Sequence, residues 1–187
     1  MIRLSKCLAI IGAFLLGSGV ALVLSAVLVA PAKPRTVKIA SAPAPEPSVK
    51  LIAVGDIMLG RNVEVKMRRH GQDYPFERVR GWFQSADVVF ANLEGPVPAK
   101  HVPTVTGSTN FSFISETPEI LRRNGVSIVS VANNHSLDKG AKAYERTKEV
   151  LHAAGIAAVG HPNEYADDLI VTKEIKGQKL VFLAFSE

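Results

Sequence analysis

The chain has 187 residues, of which 47% are hydrophobic and 21% charged, so it can bury a core and is neither disordered nor fibrous. Its formal net charge is +5, but residues 1–48 hold five Lys/Arg and one Glu, which leaves 17 basic against 16 acidic residues in the rest of the chain. Because the excess positive charge lies beside an apolar segment, a basic groove for nucleic acid is not supported.

The amino-terminal segment, residues 1–30, predicts a membrane anchor. Arg3 and Lys6 precede 24 residues without a charge, residues 7–30. A helix of that length is roughly 36 Å long at about 1.5 Å per residue, so it can cross a bilayer. The alternative is a cleaved signal peptide, although its apolar stretch is usually only about 7–15 residues long. We expect a single-pass protein of the cell membrane with its domain on the extracytoplasmic side.

Residues 31–48 predict a linker. They contain five prolines with interleaved alanines, which is typical of a semi-extended spacer. The alternative is an ordered extension packed on the domain. Cys7 is the only cysteine, so an exported domain would form no internal disulfide and would depend on its hydrophobic core.

From residue 49 to residue 187 the pattern alternates strands with helices, which predicts a layered α/β domain with a mostly parallel sheet. Strands are predicted at residues 50–54, 87–91, 127–132 and 157–159, helices at 62–70, 74–85 and 141–154, a long loop at 93–116, and a hairpin of strands 169–175 and 179–185. One more helix is predicted with Thr117 as its cap, Pro118 at its first position and Gly125 just past its end.

Three polar clusters follow the first three strands: Gly55-Asp56, Asn92-Leu93-Glu94 and Asn133-Asn134-His135. Because the carboxyl ends of parallel strands share one edge of a sheet, we expect these clusters to converge in one crevice. Their oxygen and imidazole donors are ligand types of divalent metal ions. The histidine has a second possible role, since it could donate a proton to a leaving oxygen.

Each of these residues also has a structural interpretation. Asp56 alone would equally suit a helix N-cap or a turn. One of Asn133 and Asn134 is expected to stabilise a left-handed turn rather than bind a ligand. Asp138 is expected to cap the helix that follows it.

Further candidates lie near the same edge. Arg61 could meet an anionic substrate or be simply solvated, and His161, after the fourth strand, could face the crevice. His70 and His101 lie in polar stretches and are expected to be solvated, and His152 lies on the predicted helix 141–154.

Residues 55–61, 92–95 and 132–140 read GDIMLGR, NLEG and ANNHSLDKG. In this order and spacing they closely resemble the CapA family of poly-γ-glutamate capsule biosynthesis proteins, and the resemblance covers about residues 49–187. That family is similar to the calcineurin-like metallophosphoesterases. The resemblance therefore implies a layered α/β/β/α sandwich, a divalent metal ion at Asp56, Glu94 and Asn134, and His135 in the place of the catalytic histidine.

The sequence departs from the metallophosphoesterase pattern at two points. Active enzymes usually carry His two residues after the first Asp, where this chain has Met58, a poor ligand for a hard metal. Their second motif supplies a bridging Asp, where this chain has Asn92 and Glu94, so a two-metal centre is not supported. The resemblance also implies histidine motifs further downstream, so we expect residues 49–187 to form an incomplete domain.

The resemblance implies a membrane-anchored protein that takes part in making, exporting or retaining poly-γ-glutamate, together with the capsule synthesis and export machinery. As a metal-dependent hydrolase it would act on this anionic polymer or on a phosphorylated envelope substrate, with His135 as general acid and Arg61, Asn92 and His161 near the substrate. As a non-catalytic assembly subunit it would hold the polymer without turnover. A nucleotide-binding module is disfavoured, because no Gly-rich phosphate loop is present.

Overall fold

The computed structural model describes residues 47–164 and 169–186. The predicted anchor, residues 1–30, and all but the end of the predicted linker, residues 31–48, lie outside these ranges. Among the described residues, no helix is both long and apolar enough to cross a membrane.

In chain order the described elements are β1 (Leu51–Ile57), α1 (Arg61–His70), a 3₁₀ turn (Tyr74–Phe76), α2 (Arg80–Gln84), β2 (Val88–Leu93), α3 (Thr117–Arg123), β3 (Ile128–Ser130), α4 (Ala141–Ala153), β4 (Ala157–Val159), β5 (Val171–Ile175) and β6 (Gln178–Phe182). Strands β1 to β4 pair in parallel in that order, and β5 and β6 form an antiparallel hairpin. The predicted α/β class with a parallel sheet is confirmed, and so is the hairpin.

Two local predictions were wrong. The stretch 74–85 is not one helix, because its hydrogen bonds first run from residue i to i−3, as in the bonds from Phe76 N to Asp73 O and from Val79 N to Phe76 O. Thr117 is not the N-cap of α3: it is the first residue of the helix, and Glu116 occupies the N-cap position.

Side chains cover the parallel sheet on both faces. Along β2, Val89, Ala91 and Leu93 join a core with residues of α1, α3 and α4, whereas Val88 and Phe90 contact the hairpin. This alternation follows from the two-residue period of a strand. The Phe90 ring stacks on Phe182 of β6 with 5.7 Å between centroids, so the hairpin packs on the face opposite the helices.

The register between β1 and β2 contains one irregularity. Ala53 pairs with Phe90, but Asp56 pairs with Asn92, so β1 has one extra residue between these two pairs. Without that residue Gly55 would lie opposite Asn92, and Asp56 would point to the other face of the sheet. The bulge therefore places Asp56 beside Asn92 at the carboxyl end of the sheet, inside a strand that continues past its predicted end at residue 54.

Candidate functional site

The side chain of Asn92 joins the polar clusters after the first three strands. Its Nδ2 donates hydrogen bonds to Asp56 Oδ1 at 2.8 Å and to Glu94 Oε2 at 2.5 Å. Its Oδ1 accepts a hydrogen bond from Asn133 Nδ2 at 2.9 Å. Because ionised carboxylates only accept hydrogen bonds, Nδ2 must face Asp56 and Glu94, which fixes the orientation of the amide.

Asn133 uses its whole side chain to hold the turn after β3. Besides its bond to Asn92, its Nδ2 donates to Leu93 O at 2.9 Å, and its Oδ1 accepts from His135 N at 3.0 Å. Asn133 therefore has a structural role, but not the expected one in a left-handed turn, because the described non-glycine residues with positive φ are Arg61 and Lys176. Asn134 is exposed, and its side chain makes no hydrogen bond to any residue that the structure describes.

The ring of His135 is held on two sides. Its Nδ1 lies 3.0 Å from Asp138 Oδ2, and the Phe111 ring packs on it with 4.1 Å between centroids. Since the carboxylate accepts this hydrogen bond, the proton lies on Nδ1. The other nitrogen, Nε2, is turned toward Glu94 Oε1 at 3.9 Å. Nε2 is therefore the atom through which His135 can exchange a proton with a bound molecule.

Asp138 does not cap the following helix, so that prediction was wrong. Helix α4 starts after Gly140 without a side-chain cap. The Asp138 carboxylate instead accepts hydrogen bonds through Oδ2 from His135 Nδ1 and from Phe111 N, the latter at 2.5 Å. His135 and Asp138 are three residues apart, which is close enough for their side chains to meet within one turn. This separation is the sequence feature from which the contact could have been predicted.

The site is short of positive charge. Burial of the carboxyl group and the nearby charge of Asp56 raise the pKa of Glu94, although the hydrogen bond from Asn92 and the nearby His135 partly oppose them. In the part of the chain that the structure describes, neither Asp56 nor Glu94 forms an ion pair with Lys or Arg. Two carboxylates are thus held together mainly by one neutral amide.

These donors suit a hard divalent cation, which prefers oxygen ligands. Within residues 47–164 and 169–186, however, no group of three or more His, Cys, Asp or Glu side chains is arranged to hold a metal ion. Asp56 and Glu94 converge, whereas the predicted third ligand, Asn134, is an exposed amide. Metal binding by these three residues stays a prediction.

Arg61 lies beside the site and contacts the long loop between β2 and α3, which the sequence predicted. Its Nε and Nη2 donate to Ser108 O at 2.9 and 2.5 Å, and its guanidinium lies 4.7 Å from the centroid of Phe111. Phe111 therefore contacts both Arg61 and His135. This contact was not predicted, because nothing in the sequence of a loop shows which of its side chains will return to the site.

The structure does not bring His161 into this group. At the end of β4 its ring meets Tyr144 edge-on with 4.7 Å between centroids, and its Nδ1 accepts a hydrogen bond from Asn163 N at 3.1 Å. His152 is exposed on α4, and the exposed His70 stacks on Tyr74. The prediction that His101 is solvated was wrong: it lies half-buried between Glu64 and Ser112.

Comparison with known proteins identifies the relatives of the chain. The profile of the family described as Bacterial capsule synthesis protein PGA_cap matches residues 50–187. The Capsule biosynthesis protein CapA of Bacillus anthracis is 31% identical over 138 residues, which cover 72% of this chain and 34% of that protein. The PGA biosynthesis protein CapA of Bacillus subtilis (strain 168) is 27% identical over 137 residues, 72% of this chain and 36% of that protein. The chain spans about a third of the length of these curated relatives.

The raised pKa of Glu94 gives a prediction for stability. The folded state holds a proton on Glu94 more tightly than the unfolded state does. Protonated Glu94 therefore contributes fully to the free energy of unfolding below the usual pKa of Glu, and this contribution is lost as the pH rises through the raised pKa. In cation-free buffer at pH 7, Glu94→Gln should therefore be more stable to urea than the wild type. The difference should shrink as the pH falls toward about 4, near the usual pKa of Glu.

Glu119→Gln is the matched control. Its hydrogen bond to Arg122 lowers the pKa of Glu119, so this change should not stabilise the protein at pH 7. A Glu94→Gln variant that is less stable than the wild type at pH 7 would contradict the conclusion that Asp56 and Glu94 lack compensating positive charge.

Proposed function

The chain belongs to the bacterial capsule synthesis protein family, and we propose that it takes part in making, exporting or retaining poly-γ-glutamate with the capsule machinery of the cell. The names of its relatives support this proposal, since one is a capsule biosynthesis protein and the other a PGA biosynthesis protein. The family match includes all three polar clusters of the candidate site.

We propose that the site holds a divalent cation, and one observation carries this proposal. Asp56 and Glu94 receive hydrogen bonds from the same Asn92 nitrogen and have no Lys or Arg partner among the described residues. A bound cation would offset the repulsion between the carboxylates and supply Lewis acidity toward a phosphoryl or acyl oxygen. Asn134 would be the third ligand, because its exposed amide is free of other described partners.

In the hydrolytic form of the proposal, His135 is the general acid. Asp138 accepts the proton of Nδ1, so the proton that His135 donates as an acid must be a second one, carried on Nε2 of the protonated ring and directed toward the carboxylates. Asn92 supports the two carboxylates rather than the substrate, because both atoms of its amide are already engaged. Arg61 is proposed for the substrate because its guanidinium lies over Phe111, which packs on His135. His161 packs on Tyr144, so its proposed place near the substrate rests only on its position after β4.

The second candidate is a subunit that holds the anionic polymer without turnover. Met58 favours it, because this residue stands where active metallophosphoesterases usually carry a histidine ligand. The lack of a three-residue metal cluster in the described ranges agrees with this view.

The packing of the two sheets supports a four-layer α/β/β/α architecture. The helices and the β5–β6 hairpin lie on opposite faces of the parallel sheet, as the two inner layers of such a sandwich require. We propose that these sheets are the inner layers of that fold.

We also propose attachment to the cell membrane through residues 7–30, with the site on the extracytoplasmic side. The protein should remain in the membrane fraction after a carbonate wash, because an uncharged helix of this length is stable in a bilayer. Recovery of a soluble exported form that begins near Lys33 would show that the segment is a cleaved signal peptide.

For the metal site, Asp56→Ala should weaken the binding of Mn²⁺ or Zn²⁺ by about 10-fold or more, a factor at the low end of losses seen for supporting residues. Equilibrium dialysis of the full chain measures this affinity. The exposed His152 on α4 is the control, because its change to Ala should leave the affinity unchanged. Equal metal content in the wild type and Asp56→Ala would exclude Asp56 as a ligand.

His135 separates the two candidate functions. If it donates a proton to a leaving group, His135→Gln should keep the fold but lose roughly 10²- to 10⁴-fold in turnover of a phosphoester or peptide substrate. If the protein only holds the polymer, no turnover is present in the wild type, and the same change should alter polymer affinity modestly. Full turnover in the variant would exclude His135 as the general acid.

A further inference from the structure

A second polar network lies on α1, apart from the carboxylates of the site. The side chain of Glu64 is only 3% exposed, and its Oε1 lies 3.0 Å from His101 Nε2 and 3.1 Å from Arg68 Nη1. A buried carboxylate is retained only where hydrogen bonds and opposite charge compensate for its lost hydration. Glu64 thus holds its conformation through His101 as well as through the more exposed Arg68.

His101 passes this contact on to Ser112. The Nδ1 atom of His101 lies 2.9 Å from Ser112 Oγ. The same Oγ accepts a hydrogen bond from Val102 N at 3.4 Å. Since Glu64 only accepts, Nε2 of His101 carries a proton, and in the neutral ring Nδ1 accepts the proton of the Ser112 hydroxyl. One tautomer therefore satisfies Glu64, His101 and Ser112 together.

The network draws both ends of the long loop onto α1. His101 lies near the start of the loop and Ser112 near its end, and the neighbour of Ser112 is Phe111, whose ring covers His135. Arg61, one turn before Glu64 on the same helix, binds Ser108 O of the same loop. Helix α1 thus holds the loop at two points, and Phe111 lies between them.

We propose that Glu64 is a positioning residue: acting through His101 and Ser112, it keeps the Phe111 ring packed on His135. The loop has no strand or helix of its own. A backbone hydrogen bond from Phe113 N to Pro96 O at 2.9 Å closes it, and between these residues its path depends largely on side-chain contacts with α1 and with Asp138. Loss of Glu64 would leave Nε2 of His101 without its acceptor and would loosen Ser112 and the adjacent Phe111, although Asp138 would still bind the backbone N of Phe111. This inference concerns the path of the loop, and it holds whether the site hydrolyses a substrate or only binds polymer.

Cleavage by trypsin after the exposed Lys100, beside His101, measures release of the loop. Under native conditions Glu64→Ala should be cut at Lys100 roughly 10-fold faster than the wild-type chain, since losing one hydrogen bond to a charged group shifts an opening equilibrium by about this factor. Glu64→Gln should restore most of the protection, because its amide oxygen can still accept from His101.

Glu119→Ala is the matched control, because it also removes a glutamate that pairs with an arginine three or four residues away, but on the exposed side of α3. Its cleavage at Lys100 should equal that of the wild type. Equal acceleration in Glu64→Ala and Glu119→Ala, or no acceleration in Glu64→Ala, would overturn the proposal.

Nitrogen-15 NMR of the histidine rings in the full chain provides a readout that general destabilisation would not reproduce. The wild type should show a protonated Nε2 and, in the neutral ring, an unprotonated Nδ1 for His101. Ser112→Ala, which removes no charge and serves if Glu64→Ala does not fold, should shift the ring signals of His135 through movement of Phe111. Unchanged His135 signals in both variants, or a neutral His101 with its proton on Nδ1, would refute the positioning role.

Discussion

The contact on which the site depends is the side-chain amide of Asn92, because it holds one carboxylate from β1 and one from the end of β2. This contact exists only because β1 carries an extra residue between its pairs with Phe90 and Asn92. A strand without the bulge would turn Asp56 toward the helical core, where an unpaired carboxylate is costly. The irregular register is thus part of the site.

The charges of the site work against the stability of the fold. Burial and the charge of Asp56 raise the pKa of Glu94, so its surroundings disfavour the ionised form of this side chain. The surrounding structure compensates for this cost, since Val89, Ala91 and Leu93 of β2 are fully or almost fully buried. An unfavourable local arrangement that the rest of the fold compensates for is typical of functional sites.

The long loop shows how remote residues complete this arrangement. Phe111 reaches His135 because Asp138 binds its backbone and because α1 holds the loop through Arg61 and Glu64. Composition correctly identified the segment as a long loop between β2 and α3. It could not show that His101 is half-buried, because a polar neighbourhood in sequence does not reveal that the end of the loop returns with Ser112.

The sequence by itself determined the elements whose signals are local. Alternating apolar runs located the strands, and Lys176-Gly177, with φ of +51° and +76°, forms the hairpin turn at its expected place. Parallel pairing then implied that Asp56, Asn92, Glu94 and His135 share one edge. Only the tertiary structure decided which side chains meet: the bulge selected the face of Asp56, Asp138 bound His135 instead of capping α4, and His161 packed against Tyr144. The contacts Asp56–Asn92, Phe111–Asp138 and Asn92–Asn133 join residues 36, 27 and 41 positions apart, so no local pattern records them. The three-residue separation of His135 and Asp138 is local, but the sequence alone did not decide between a helix cap and a side-chain pair.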